Sequence, residues 1–206
     1  YVLHLGDIVN SDTANQWANA QAALFMLDGE VPYALAPGNH DFSSFVAPRS
    51  TLFNTYFPLA KYQAWPTFGG VREAGRLDNS YHVFRAGGVD WLVFALEFGP
   101  RNGTVAWASQ VASNYPAHKK IVITHAYMYS DDTRYDWATY GTAQTWNPHN
   151  YPTQNDPDGT NDGEELWQKL VKIHTNWVMA INGHVLNDGL GRLSSTNNFG
   201  QVVHQM

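Results

Sequence analysis

The chain has 206 residues, 44% of them hydrophobic, and 12 Lys+Arg against 18 Asp+Glu give it a formal net charge of −6. That length suits one domain with a sizeable core and is short for two, while an acidic balance without a basic run argues against a nucleic-acid or anionic-membrane surface. Cysteine is absent, which excludes disulfides and thiolate metal sites and leaves His, Asp, Glu and Asn as the ligand set open to a metal.

In chain order, a strand-like run over Tyr1–Leu5 ends in Gly6-Asp7, and a helical segment follows over Asn15–Leu27, with Asp12 or Thr13 as its cap and Gly29 just past its end. Val31–Ala36 is short, apolar and β-compatible; Pro37-Gly38 breaks it, so Asn39, His40 and Asp41 fall on a loop at a strand's carboxyl end. Tyr81–Arg85 and Val89–Leu96, joined through Ala86-Gly87-Gly88, predict a hairpin, so the sheet is not purely parallel. A helix is expected over Gly103–Ser113, then a strand over Lys120–Thr124 that leads into His125. The stretch from Ala126 to Asp162 lacks a clear period, yet its Tyr127, Tyr129, Tyr135, Trp137, Tyr140, Trp146 and Tyr151 predict an ordered lid or binding surface instead of disorder. Asn161-Asp162 should start a helix over Gly163–His174 with Glu164 and Glu165 near its positive end. Strand-like runs at Trp177–Ile181, leading to His184, and at Gln201–His204 complete a mixed α/β pattern.

No apolar run approaches the roughly 18 residues that span a bilayer, so no membrane segment is expected. The aromatic content of 14% with few lysines leans towards an extracytoplasmic or secreted protein. Because Tyr1 already lies in a strand-like run and Met206 follows another, the expectation is a single domain over 1–206 that is a fragment, lacking the first strand and the C-terminal strand or strands, with any leader upstream.

Four strand-like runs therefore end near Asp7, Asn39, His125 and His184. In open α/β sheets, ligands bind beyond the carboxyl ends of strands. An anionic oxygen, an amide oxygen and two imidazoles form a donor set suited to Zn, Mn or Fe. Singly, each residue has a plainer role: Asp7 and the Asn39–Asp41 stretch as turn residues, His125 as a satisfied core histidine, His184 as a loop histidine.

Taken together and in order, "GDIVN", "GNHD", "THA" and "GHV" resemble the calcineurin-like metallophosphoesterases, over nearly the whole chain. The resemblance implies two mixed β-sheets packed face to face and flanked by helices, with two metal ions at strand ends and hydrolysis of a phosphoester by metal-activated water. It implies that Asp7 bridges the metals and that Asn39, His125 and His184 hold the second one. It also implies that His40 is a general acid whose imidazole is oriented by Asp41. Two features depart from the family pattern: the upstream Asp-x-His lies outside this chain, and Leu186 stands where "GHxH" has its second histidine. The first metal thus keeps only Asp7, so one ion or two are expected, with Asn187, Asp188 or His204 as substitutes. Arg134 and His149, both on the long aromatic stretch, are candidates to reach a substrate phosphate. The expected partner is a phosphorylated small molecule or a phosphodiester. The alternative is a catalytically impaired metal- or ligand-binding module of the same fold. His4 is expected to support the site or the core and Asn10 to support the metal loop or cap it, while His82, His118 and His174 read as structural.

Overall fold

The computed structural model describes residues 1–43, 49–185 and 190–206. Leu186, Asn187 and Asp188, and with them the question of what stands in for the missing histidine, lie outside the described residues.

Nine strands form two sheets among the described residues. β1 (Val2–His4) and β2 (Tyr33–Leu35) pair in parallel. The helix Ala14–Leu24 makes the crossover that a parallel pair requires. The larger sheet contains β3 (Phe68–Val71), β4 (Ser80–Ala86), β5 (Val89–Ala95), β6 (Lys119–Ile123), β7 (Trp177–Ile181), β8 (Leu193–Thr196) and β9 (Val202–Gln205). Its order is β3-β4-β5-β6-β7-β9-β8, antiparallel at both edges and parallel through β5, β6, β7 and β9.

Alternation along the central strands builds three cores. Leu92, Phe94 and Leu96 point one way, onto Val105, Ala108 and Val111 of the helix Asn102–Asn114 and onto Leu166 and Leu170. Val93 and Ala95 point the other way, where with Ile123 they meet Ala34 and Ala36 of the small sheet. The alternate residues Tyr33 and Leu35 face Trp17, Phe53 and Phe57. Period-two side-chain direction thus yields a helix–sheet–sheet–helix sandwich, the two-sheet architecture expected from the sequence. Glycine matters most at the β4–β5 turn: Ala86 pairs with Val89 across Gly87 (φ 59°) and Gly88 (φ 78°), the left-handed pair that a two-residue turn of this twist demands.

The segment from 126 to 162 is ordered. Met128 and Arg134 form a β-bridge, and the helix Trp137–Tyr140 is capped by Asp136. Short 3-10 turns follow at Pro148–Asn150 and Pro152–Asn155. Asp162 and Glu165 then make a reciprocal capping box that starts the helix Gly163–Leu166, which runs on as a π turn over Trp167–Val171. No helix among the described residues is long and apolar enough to cross a membrane.

Candidate metal centre

The loop after β1 begins the site. Gly6 (φ 98°) turns the chain so tightly that a Cβ there would lie 2.6 Å from His125 Nδ1, and a Cβ on Gly38 would lie 2.2 Å from Asp7 Oδ1. Bare backbone at these two positions is what lets three strand ends approach one another. Asp7 itself has φ 49°, a left-handed conformation uncommon outside glycine. Its Oδ1 accepts from the backbone N–H of His40 at 3.0 Å, and its Oδ2 lies 3.0 Å from His125 Nε2.

The two histidines arrive with their protons assigned by carbonyl oxygens, which can only accept. His125 Nδ1 lies 2.7 Å from Leu5 O, so Nδ1 carries hydrogen and Nε2 faces Asp7 with its lone pair unless the ring takes a second proton. With that proton the pair is an ion pair; although burial favours the neutral acid, His125 and the His40 N–H hold the Asp7 carboxyl below its ordinary range. Without it, the nitrogen and the carboxylate are two acceptors in contact, an arrangement that a cation would relieve. His184 Nε2 lies 2.8 Å from Trp146 O, which leaves Nδ1 as its lone-pair nitrogen. Burial, together with the neighbouring His125, pushes His184 down to about 3, so it is a neutral imidazole and a competent donor. The two rings meet edge to face at 4.8 Å, and one donor atom from each of Asp7, His125 and His184 lies within 4.8 Å of the others.

Asn39 supplies the sharpest observation. It is 4% exposed, and its Oδ1 is buried with no hydrogen-bond partner among the described residues, while the buried His125 Nε2 faces only the Asp7 carboxylate. An orphaned buried acceptor costs about 1–3 kcal/mol. One on the loop that binds Asp7, together with the close donor atoms of Asp7, His125 and His184, is an arrangement a divalent cation would satisfy, so the donor set fits a metal ion.

His40 and Asp41 do different work from each other. His40 Nδ1 lies 2.9 Å from Asn10 O, so a backbone carbonyl orients the ring, in place of the Asp41 carboxylate expected from the sequence. Asp41 is fully buried and accepts three backbone N–H groups, those of Ile8 at 3.1 Å, Val9 at 2.9 Å and Gly38 at 2.7 Å. It ties the loop after β1 to the loop after β2. Burial, against those three donors and with Asp7 nearby, raises Asp41 to about 6. His4 Nδ1 accepts from Gly6 N at 3.3 Å, a contact beneath the site.

Arg134 and His149 are not brought to this cluster. Arg134 donates to Gln205, Glu164 and Ser195, each at 2.6 Å, and lies over the Trp167 ring, so its guanidinium is spent joining the aromatic segment to a helix and the last strands. His149 Nε2 meets Glu165 Oε2 at 2.7 Å and its ring stacks on Trp137. With Asp162 and Glu165 it forms a second close group, but there Glu165 also accepts from Lys169 and the Asp162 N–H, while Asp162 accepts from Trp137 N and Glu165 N. That group is saturated by hydrogen bonds. His204 is bonded to Ser194 Oγ at 3.0 Å and lies outside both groups.

Sequence reasoning placed Asn10 as a support or cap of the metal loop and Trp146 and Tyr151 in an ordered lid or binding surface, without the contact each makes at the site. Asn10 and Trp146 act through backbone carbonyls, which no side-chain pattern reveals, although Trp146 (φ 62°) is a bulky residue in a left-handed conformation at the site. Tyr151 packs 5.8 Å from the His184 ring and 4.9 Å from the Phe98 ring. Burial, and secondarily Asp7, push its phenol up to about 12.

Comparison with known proteins places these motifs in context. A family model described as calcineurin-like phosphoesterase matches residues 1–146. The chain is 25% identical over 213 residues to the uncharacterized protein YvnB of Bacillus subtilis (strain 168); the match takes in all of this chain but only 14% of the length of that relative. Among solved structures it is similar to the 5'-nucleotidase precursor from Thermus thermophilus, with 16% identity and a TM-score of 0.48, over 99% of this chain and 38% of that one.

Proposed function

The chain belongs to the calcineurin-like phosphoesterase family, a family of metal-using phosphoester hydrolases, and from that premise we propose that it hydrolyses a phosphoester with Asp7, Asn39, His125 and His184 holding a divalent ion. The observation that carries this reading is Asn39 Oδ1, a buried acceptor without a hydrogen-bond partner among the described residues, on the loop whose His40 N–H binds Asp7, together with the close donor atoms of Asp7, His125 and His184. When bound, such an ion polarises the phosphoryl group and acidifies the attacking water. The chain's own residues do the rest. The carbonyls of Leu5 and Trp146 fix the tautomers of His125 and His184, so each ring presents a lone pair. Asn10 O holds the Nδ1 hydrogen of His40, so the proton given to the departing ester oxygen is the second one, carried on Nε2 by the doubly protonated ring. Asp41 positions both loops and touches no reacting atom. No side-chain nucleophile is required.

The test is hydrolysis of a chromogenic phosphoester by the purified, metal-reconstituted protein. His40→Ala is expected to lower kcat by about 10²–10⁴-fold while leaving metal content unchanged; equal turnover by the variant removes His40 from the mechanism. A second reading is favoured by one observation. Among the described residues the donors around Asp7 suffice for a single ion, and a binding module with one metal is what remains if metal is held but no phosphoester turns over.

A further inference from the structure

The site attracts attention for what it does not contain. A phosphomonoester carries about −1.5 to −2 charge near neutral pH, and proteins commonly meet such dianions with Arg or Lys. The chain has 12 Lys+Arg, and the undescribed stretches 44–48 and 186–189 contain none of them, so the cations can be followed one by one.

Arg49, Arg72 and Arg101 are committed to the network of Glu97, Glu73, Asp156 and Asp158. Lys61, Arg76 and Arg85 pair with Asp28, Asp78 and Asp90. Arg134 is clamped as described, while Lys169 and Lys172 bond to Glu165 and Gln168 on their own helix. Lys119 and Lys120 open β6, whose other end leads to His125, roughly 20 Å away at 3.3 Å per residue. Arg192 lines a separate cavity beside Met179 and His204. No lysine or arginine among the described residues is placed at the Asp7 cluster.

With no lysine or arginine there among the described residues, permanent positive charge at the cluster comes from a bound ion alone, and the long segment supplies an aromatic neighbour. Tyr151 lies against His184, and Trp146, 40% exposed, reaches His184 through its carbonyl. A diester has one ionisable oxygen and a second ester substituent to bury, and both needs match this wall. We propose that the site selects a phosphodiester monoanion over a phosphomonoester dianion, seating the second ester group against the Tyr151 ring. The inference rests on the phosphoesterase reading above and narrows its substrate class.

Two readouts test it on the manganese-reconstituted protein. The first is kcat/KM for bis(4-nitrophenyl) phosphate against 4-nitrophenyl phosphate. The second, independent of turnover, is calorimetric binding of diphenyl phosphate against phenyl phosphate. The diester is expected to win by at least about tenfold in both, a preference of about 1.4 kcal/mol, and Tyr151→Ala should shrink the ratio by weakening the diester alone. Equal or better handling of the monoester in both readouts overturns the inference and leaves the phosphoesterase reading standing. If neither ester is hydrolysed, the phosphoesterase reading fails and the calorimetric ratio still decides the preference; if neither binds, both are overturned.

Discussion

Glu97 and Asp7 both stand just beyond strand ends, Glu97 buried and Asp7 half-buried, and the chain treats them in opposite ways. Glu97, 1% exposed, accepts from Arg101 Nε at 2.9 Å, from Arg101 N at 3.2 Å and from Thr104 Oγ1 at 2.7 Å, with Arg49 at 3.8 Å. Burial alone would raise its carboxyl; Arg49, Arg101 and Thr104 hold it down at about 2. The same network reaches outward, since Arg49 donates to the carbonyls of Phe98 and Gly99 and faces Asp156, while Arg72 bonds Asp158. It thereby fastens the aromatic segment beside the metal centre. Around Asp7 the reverse holds: Asn39 Oδ1 is buried without a hydrogen-bond partner among the described residues, His125 Nε2 faces only the Asp7 carboxylate, and Asp7, Trp146 and His184 occupy left-handed backbone conformations. Opposite charges in mutual contact make the Glu97 network an anchor even though Arg49 Nε and Glu73 Oε2 lack hydrogen-bond partners, whereas acceptors gathered with no lysine or arginine among them are a place prepared for something else.

The contrast can be broken most forcefully at the anchor. Glu97→Ala removes the buried carboxylate that Arg101, Arg49 and Thr104 share, leaving Arg101 with Glu73 and Arg49 with Asp156, and unfolding stability should fall by about 3–5 kcal/mol in denaturant titrations. A loss below about 1 kcal/mol would mean that the network is no anchor. His82 sharpens the contrast, because its Nδ1 is also buried and unpartnered but it stands alone, with Ser80 Oγ at 3.3 Å from Nε2 and the Tyr1 and Phe68 rings around it. An orphaned atom without convergent donors is a buried neutral base, and burial takes His82 from 6.5 down to about 3. Its contribution to stability is complete above pH 6.5, where the unfolded ring is also neutral. It is lost as pH falls towards about 3, since only the unfolded chain takes up the proton in that window. Relative to His82→Leu, the wild type should therefore lose up to about 1.4 kcal/mol per pH unit below pH 6.5 in thermal or urea melts. Parallel profiles for the two proteins would remove His82 from the acid response.

Much of this was legible in the sequence, for reasons that also explain the misses. β4 and β5 announce themselves by alternation and by Gly87-Gly88, and β2 by an apolar run that breaks at Pro37. β3 and β8 are the two edges of the large sheet, and edge strands tolerate what buried ones do not. Phe68-Gly69-Gly70-Val71 is half glycine, and Leu193-Ser194-Ser195-Thr196 is mostly hydroxyl, so neither carries a strand signature. The donors Asp7, Asn39, His125 and His184 could be named because each follows a strand-like run. The placement of Arg134 and His149 was not legible, because their partners, Glu164, Gln205, Ser195 and Glu165, are distant in sequence and no periodicity links them. Asp41 looked like a partner for the adjacent imidazole, but its position in the fold is decided by three backbone N–H groups.

The central claim is that the unpaired acceptors at the strand ends form a cation site, and Asn39→Ala tests it most directly because the substitution removes an orphaned acceptor and little else. Calorimetric titration of the metal-free wild type and of Asn39→Ala with Mn²⁺, alongside their unfolding curves, is the measurement. The expected result is at least about tenfold weaker binding in the variant, with metal-free stability unchanged or slightly higher because an unsatisfied buried oxygen has gone. Identical metal affinity in the two proteins, or a metal-free variant destabilised by several kcal/mol, would contradict it and return Asn39 to an ordinary structural role.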